Sequence, residues 1–495
     1  MISFELRIIL VFLVAFFSAI FLLPKLSRIA ERVGLLDHPN HRKVHSLPRP
    51  LVGGIGMVTA TIFTSLLFIP IMGLRGYFLG LAVLLLVGFL DDFKEIGHRQ
   101  KFLAQVVAVI VLIHFSQISL NSFGDIFGFG VINIPGGDIV IWLVTVFCVV
   151  GVINAVNLID GLDGLAGGIS FIAFIFFAIH ASFAGESNLM LLNLALAGSI
   201  LGFLWFNWYP SVLFMGDAGS LCLGFSLSFM ALSLTQGESS AVSPITVLLV
   251  LALPITDTII VMLKRILHGK SPFVADKYHV HHIFLRYGMG RDGAVRVILG
   301  LSVLMGCLSL LGPVLNVSDA WLFSAFCVCF LVYLASSFYI MGVFRYSLKV
   351  RKKRRDKIST SFVLRLIFGS FDIFGIFRKA RRHNVNLKMA YQTDYLETAV
   401  NGQVLNISLT GCMARIDAID CLGADDANLF ITLPADETAR QLPVDVEHLW
   451  CSEHEGSYYH GFRFRTLGPE SEAILYEFLK KYGERGGVRV QEAHA

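Results

Sequence analysis

The sequence predicts an all-α polytopic membrane protein followed by a small soluble β domain. Three observations carry this reading: repeated apolar runs near the length of a bilayer span, a charged fraction of only 15%, and a change to short strand-like segments after about residue 378. Soluble domains average about 25% charged residues. With 55% hydrophobic residues and a mean hydropathy of +0.70, this chain of 495 residues is excluded from that class. Its net charge of +4 is distributed unevenly, with +1 on residues 1–344, +11 on residues 345–382 and −8 on residues 383–495. The division suggests a transmembrane domain over 1–344, a basic juxtamembrane linker over 345–377, the β domain over 378–485 and a tail over 486–495.

Apolar runs near the roughly 20 residues that cross a bilayer lie at about 3–24, 51–73, 76–90, 102–120, 139–153, 169–184, 189–206, 219–235, 244–263, 294–314 and 320–342, giving about 11 transmembrane helices. The first run lacks a small-residue cleavage site and reads as a retained helix. Alternate connections hold 15 basic residues on one face against Arg75 alone on the other. The positive-inside rule then places the first face in the cytoplasm, with the N-terminus out and the C-terminus in. Arg351, Lys352, Lys353, Arg354 and Arg355 follow the last span, where a polybasic segment suits anionic membrane lipids. Residues 361–377 read either as an interfacial amphipathic helix or as a plain linker. Beyond them, runs at 403–409, 428–433, 444–450 and 458–464 read as strands between Gly, Pro, Asp and Asn, with a closing helix near 469–482. Eight cysteines without a CxxC pair suggest neither a disulfide framework nor a zinc knuckle.

Ionisable groups at membrane depth are costly and mark functional sites, and the topology puts every such cluster at the cytoplasmic face. Arg42, Lys43 and His45 lead into Gly53, Gly54 and Gly56, either as an orientation signal or as a diphosphate clamp. Asp91, Asp92 and Glu95 follow an apolar run directly; adjacent carboxylates call for a metal or another cation, unless they only charge a helix N-terminus. Asn154, Asn157, Asp160 and Asp163 occupy a segment without a basic residue, and a helical conformation would put the two acids on one face. Asp217 stands between Gly216 and Gly219, glycines that would let backbone N–H groups approach a phosphate beside a Mg²⁺-binding carboxylate. Asp276, Lys277, His279, His281 and His282 suit phosphate contacts better than a zinc site, because Mg²⁺ prefers oxygen ligands. Asp257, near Lys264 and Arg265, reads as a structural ion pair or as a further site acid.

Carboxylates for Mg²⁺ beside cations and imidazoles for phosphates suit phosphoryl transfer between a soluble nucleotide and a lipid. Residues 1–344 resemble the polyprenyl-phosphate N-acetylhexosamine-1-phosphate transferases through RKVHSLPRPLVGG, DDFKE, NAVNLIDGLDGLAGG, FNWYPSVLFMGDAGS, LPITDTIIVMLKR and DKYHVHH, in that order. Glu95 stands where that family more often has Asp or Asn. The His-X-His-His pattern argues against a muramyl-pentapeptide donor. The resemblance implies transfer of N-acetylhexosamine-1-phosphate from a UDP-sugar to undecaprenyl phosphate, with UMP released and cell-surface polysaccharide synthesis begun at the bacterial inner membrane. It implies Mg²⁺, with Mn²⁺ as the alternative ion, on Asp217 with Asp160 or Asp163. Catalytic roles are implied for Asp91, Asp92, Asp160, Asp163, His279 and His282, and substrate contacts for Arg42, Lys43, His45, Asn157, Asn207, Lys277 and His281.

In the basic collar, RKARR sets Arg378 and Arg382 at i, i+4, and NISLTG follows with Asn406, Ser408 and Gly411. The pair of motifs, with YYHGFRF at 458–464, resembles the PilZ domain, a small β-barrel that binds cyclic di-GMP. Guanidinium groups suit its phosphates and guanine faces, while Asn406 and Ser408 offer hydrogen bonds and Gly411 permits a tight turn. Expected partners are therefore the UDP-sugar, undecaprenyl phosphate, cyclic di-GMP and membrane lipids, with a homodimer allowed and no nucleic acid polymer. Two other classes compete: a catalytically idle membrane receptor for cyclic di-GMP, and a transporter using intramembrane carboxylates.

Overall fold

The computed structural model describes residues 3–37, 48–94, 96–236, 242–267, 269, 279–286, 289–353, 383–392, 400–408, 411–416, 427–433, 440–454, 457–464 and, near the end, 471, 474, 475 and 477–479. These fall into two compact units, Met1–Ile376 and Phe377–Ala495. The first is helical: α1 (Phe4–Val33), α2 (Gly53–Phe68), α3 (Arg75–Lys94), α4 (His98–Ser116), α5 (Gly137–Ile159), α6 (Leu165–Phe183), α7 (Ser187–Asn207), α8 (Gly216–Thr235), α9 (Pro244–Val250), α10 (Ala252–Leu267), α11 (Val280–Arg286), α12 (Arg291–Ser309), α13 (Leu311–Leu315) and α14 (Asp319–Lys353). Each of the eleven apolar runs coincides with one of these helices or with a pair of them. Among the described residues, nine helices are long and apolar enough to cross a membrane, the α9–α10 pair adds a tenth, and the apolar α2 is shorter at 16 residues.

The run at 244–263 is a broken span, bent by 77° between α9 and α10. Pro254 has no N–H for the carbonyl four residues earlier, so the helical ladder stops there and restarts with Pro254 in the first turn of α10. At the bundle centre stands α8, with 83% of its span buried, against 22% for α1 and 11% for α14. Beyond its first turn it is mainly apolar, and its buried Ser226 and Ser228 donate to carbonyls one turn earlier. The last helix continues past residue 344 through Lys353, so the basic collar begins as helix. The segment 361–377, read as an interfacial helix or a linker, lies outside the described residues, as does the tail 486–495.

A short antiparallel ladder, β1 (Leu36–Asp37) with β2 (Arg49–Pro50), brackets the segment that carries Arg42, Lys43 and His45. The second unit is a closed antiparallel barrel of β3 (His383–Gln392), β4 (Val400–Ser408), β5 (Gly411–Arg415), β6 (Ala427–Leu433), β7 (Arg440–His454) and β8 (Ser457–Phe464), in the order β3-β4-β5-β8-β7-β6. Alternate residues Val385, Leu387, Met389 and Tyr391 of β3 fill its interior with Leu429, Ile431, Val444 and Phe462. Leu475 and Leu479, from helical positions near the expected closing helix, join the same core. Two strands, β3 and β5, were not apparent from the sequence pattern.

Candidate active site

Three carboxylates meet where the C-terminal end of α3 faces the N-terminal end of α8. Oxygen atoms of Asp91, Asp92 and Asp217 lie within 4.8 Å of one another. Like charges at this spacing repel unless a proton or a cation lies among them, and the protein supplies a cation. Lys101, in the first turn of α4, places its Nζ 2.5 Å from Asp91 Oδ2 and 2.5 Å from Asp217 Oδ2. In the sequence Lys101 counts only toward the charge bias; the unmet demand of Asp91 and Asp92 for a cation was the signal that could have found it.

Asp92 has a different task from Asp91. Its Oδ1 accepts the Asp217 N–H at 2.7 Å and its Oδ2 the Ala218 N–H at 3.1 Å. These are among the first amides of α8, which no helical carbonyl can reach, and a negative charge beside them is favourable. The glycines around Asp217 likewise serve packing. Gly216 adopts φ +72°, a region that costs other residues about 1–2 kcal/mol, and a Cβ there would lie 2.9 Å from Asp92 Cγ. A Cβ on Gly219 would lie 2.9 Å from Gly54 Cα, and one on Gly88 would lie 2.6 Å from the Ala218 nitrogen. The amides expected to cradle a phosphate are thus bonded to Asp92, and α2, α3 and α8 touch through their backbones.

Asn157, near the end of α5, donates through Nδ2 to Asp217 Oδ1 at 3.0 Å and to Ser220 Oγ at 2.8 Å. It orients the carboxylate. Asn154 reaches Gln105 Oε1 at 2.7 Å, tying α5 to α4. Asp160 and Asp163 do not share a helix face: α5 ends at Ile159, and both lie in the loop before α6. The Asp163 Oδ2 accepts the Ser211 N–H at 3.2 Å. Asp160 reaches solvent, yet crowding by the surrounding protein, and then the charges of Asp217 and Asp163, raise its pKa. Asn207 is buried, accepting the Gly164 N–H and donating to the Leu213 carbonyl, each at 2.9 Å. Its side chain joins two loops by their backbones.

The histidine segment is anchored by Asp257, which pairs with a residue other than the expected Lys264 or Arg265. His279 Nδ1 lies 2.8 Å from Asp257 Oδ2, while Oδ1 accepts the Val280 N–H at 2.9 Å and the Tyr333 hydroxyl at 2.5 Å. The His281 ring stacks on His279 with centroids 5.9 Å apart, and lies 4.2 Å from that of His282. A Cβ on Gly161 would lie 2.8 Å from His281 Cε1, so glycine there lets the imidazole approach the loop that holds Asp160. Burial, then the neighbouring His282, pushes the His281 pKa down to about 3. At neutral pH it is an uncharged hydrogen-bonding group, and its buried Nδ1 has no partner among the described residues.

In the barrel, Asn406 and Ser408 end β4 and Gly411 begins β5, paired across a hairpin. The Ser408 hydroxyl donates to the Gly411 carbonyl at 3.1 Å. Asn406 sits at a register shift opposite Met413, and its buried Oδ1 has no partner among the described residues.

Comparison with known proteins bears on both units. The family described as glycosyl transferase family 4 matches residues 74–235, and the PilZ domain matches residues 377–481. The undecaprenyl-phosphate alpha-N-acetylglucosaminyl 1-phosphate transferase of Haemophilus influenzae is 33% identical over 364 residues, which is 71% of this chain and 99% of that protein. The chain belongs to this transferase family, with a PilZ domain at its C-terminus. The same-named protein of Pasteurella multocida is 32% identical over 71% of the chain and 97% of its own length; that of Escherichia coli K12 is 31% identical over 59% and 81%. A solved structure titled as the Bacillus subtilis inhibitor of motility covers 22% of the chain and 51% of its own at 16% identity, with a TM-score of 0.20.

As a member of the family, the protein is a multi-pass membrane transferase. The structure brings Asp91, Asp92 and Asp217 together with Asn157, and sets His281 against Gly161 beside Asp160. Arg42, Lys43, His45, Glu95, Lys277, Arg378 and Arg382 lie outside the described residues. Lys101 and the Asp257–His279 pair are the additions that sequence reasoning lacked.

Proposed function

We propose that the membrane unit transfers N-acetylhexosamine-1-phosphate from a UDP-sugar to undecaprenyl phosphate, at the cytoplasmic side of a bacterial inner membrane, as the first step of a cell-surface polysaccharide. The Asp91–Lys101–Asp217 cluster, set at helix ends, carries this reading. An oxygen of the lipid phosphate forms a bond to the β-phosphorus, the bond from that phosphorus to the bridging oxygen breaks, and UMP leaves with the electron pair.

The donor set fits a hard divalent cation, because three carboxylates outweigh one ammonium and offer only oxygen. Asp217 and Asp91 would hold Mg²⁺, or Mn²⁺ in its place, with Asp160 and Asp163 in the adjoining loop. Bound there, the ion would neutralise charge on the diphosphate as the bond to UMP breaks. Lys101 keeps the two carboxylates from repelling one another and offers a positive charge to phosphate oxygens. Asn157 fixes the Asp217 rotamer, and Asp92 fixes the backbone beneath it. The lipid phosphate has a second pKa near about 6 and is largely dianionic at neutral pH, so little proton abstraction is asked of Asp91. His279, His281 and His282, with Arg42, Lys43, His45 and Lys277, supply phosphate and sugar contacts; Asn157 and Asn207 stand toward the nucleotide, Asn207 also joining two loops.

Purified protein with Mg²⁺, polyprenyl phosphate and a panel of UDP-N-acetylhexosamines is expected to release UMP with at least one donor. No release with any donor would sink the reading.

The PilZ domain is proposed to bind cyclic di-GMP through Asn406, Ser408 and Gly411 with Arg378 and Arg382, and thereby to regulate the transferase. The buried Asn406 Oδ1 on the β4–β5 hairpin, without a partner among the described residues, supports a ligand there. Calorimetry on the full chain is expected to show micromolar binding that Arg382→Ala abolishes. Equal binding by both proteins would remove Arg382 from the site.

A further inference from the structure

We infer that Tyr333, on the last membrane helix, is a positioning residue for the histidine segment. The inference deepens the transferase reading above and rests on it for the role of that segment. Asp257 is 2% exposed, and a carboxylate so enclosed needs donors on both oxygens. It has three, from separate parts of the chain: the His279 ring, the Val280 amide and the Tyr333 hydroxyl. The bond at Nδ1 fixes the plane of the His279 ring and leaves Nε2 as the ring atom for phosphate chemistry, as an orienting carboxylate does for other functional histidines.

A second contact repeats the pattern. Lys264, seven residues after Asp257 on α10, donates to the Ser337 hydroxyl, and Ser337 lies four residues after Tyr333 on α14. Residues four apart share a helix face, so one face of α14 makes both bonds. The helix is otherwise the most exposed of the spans. A span that served only as an anchor would pack apolar groups against α10; here it delivers a hydroxyl to a buried carboxylate and another to a buried ammonium. The hydroxyl of Tyr333 thus helps hold the point where α11 begins and His281 is set against Gly161.

The test uses the full chain with Tyr333→Phe, His279→Asn and the double variant, each matched for folded protein by size-exclusion profile. Tyr333→Phe is expected to lower kcat/KM for UMP release about tenfold, since small misplacement of a reacting geometry is costly. In the His279→Asn background it should have no further effect, because residues acting through one another are not additive. Effects that multiply, or a Tyr333→Phe enzyme indistinguishable from wild type, would overturn the inference. A second readout is independent of turnover: acylation by diethyl pyrocarbonate, followed by mass spectrometry, should rise several-fold at His279 in Tyr333→Phe, with His180 unchanged. If wild type released no UMP but His279 labelling rose, the transferase reading would fall and the positioning role would stand; unchanged labelling in such a protein would reject both.

Discussion

Asp217→Ala should lower UMP release by about 10³-fold or more while the protein remains folded. Metal-assisted neutralisation of a transferring phosphate is worth several kcal/mol, and each ~1.4 kcal/mol is a factor of ten in rate. Asp217 is where the interactions converge, accepting from Asn157 on one oxygen and from Lys101 on the other. Its loss leaves Lys101 paired with Asp91 alone and removes a ligand atom from the only such cluster among the described residues. The fold is spared because the amides of residues 217 and 218 stay capped by Asp92 whatever the side chain at 217. Turnover measured across a Mg²⁺ titration checks this, and an Asp217→Ala enzyme as active as wild type would remove the residue from the mechanism.

The second large effect concerns assembly. A Cβ on Gly54 would lie 2.7 Å from the Ala218 carbonyl carbon, with the Gly219 backbone closer still. No flexible side chain stands there to move aside, so α2 and α8 must separate. Overpacking a core costs typically about 1–3 kcal/mol and sometimes more, and in membranes close helix approach through small residues is a main source of association. Gly54→Ala should therefore lower the thermal midpoint of the detergent-solubilised protein and reduce activity at permissive temperature. Gly151 is the control: it lies on an exposed part of α5, and a methyl group added there would meet nothing within 4 Å. Gly151→Ala should be neutral, and equal sensitivity at both positions would show that the seam is not what fixes the site.

Most of the helical architecture was legible because apolar length is a local quantity, readable one segment at a time. The bend after α9 was hidden because the effect of one proline depends on where the helix restarts. In the barrel, β5 has only five residues, too few for alternation to show, and β3 follows a basic run that masks its inward Val385, Leu387, Met389 and Tyr391. For the site, carboxylate positions could be read but their partners could not. Asp257 pairs with His279 across 22 positions and with Tyr333 across 76, choices made by packing and not by spacing. Asn157 and Asn207 show the same limit: the carboxylate that one orients and the two loops that the other joins cannot be read from their motifs.

Side chains yield under load by changing rotamer, whereas backbones already in contact do not. The joint of α2, α3 and α8 is therefore one that deforms little under load. The helices α1 and α14, with 22% and 11% of their spans buried, are the least enclosed of the spans and lie outside this joint. Three carboxylates mounted in this way hold their mutual spacing, within 4.8 Å, by backbone contacts that no rotamer change can loosen.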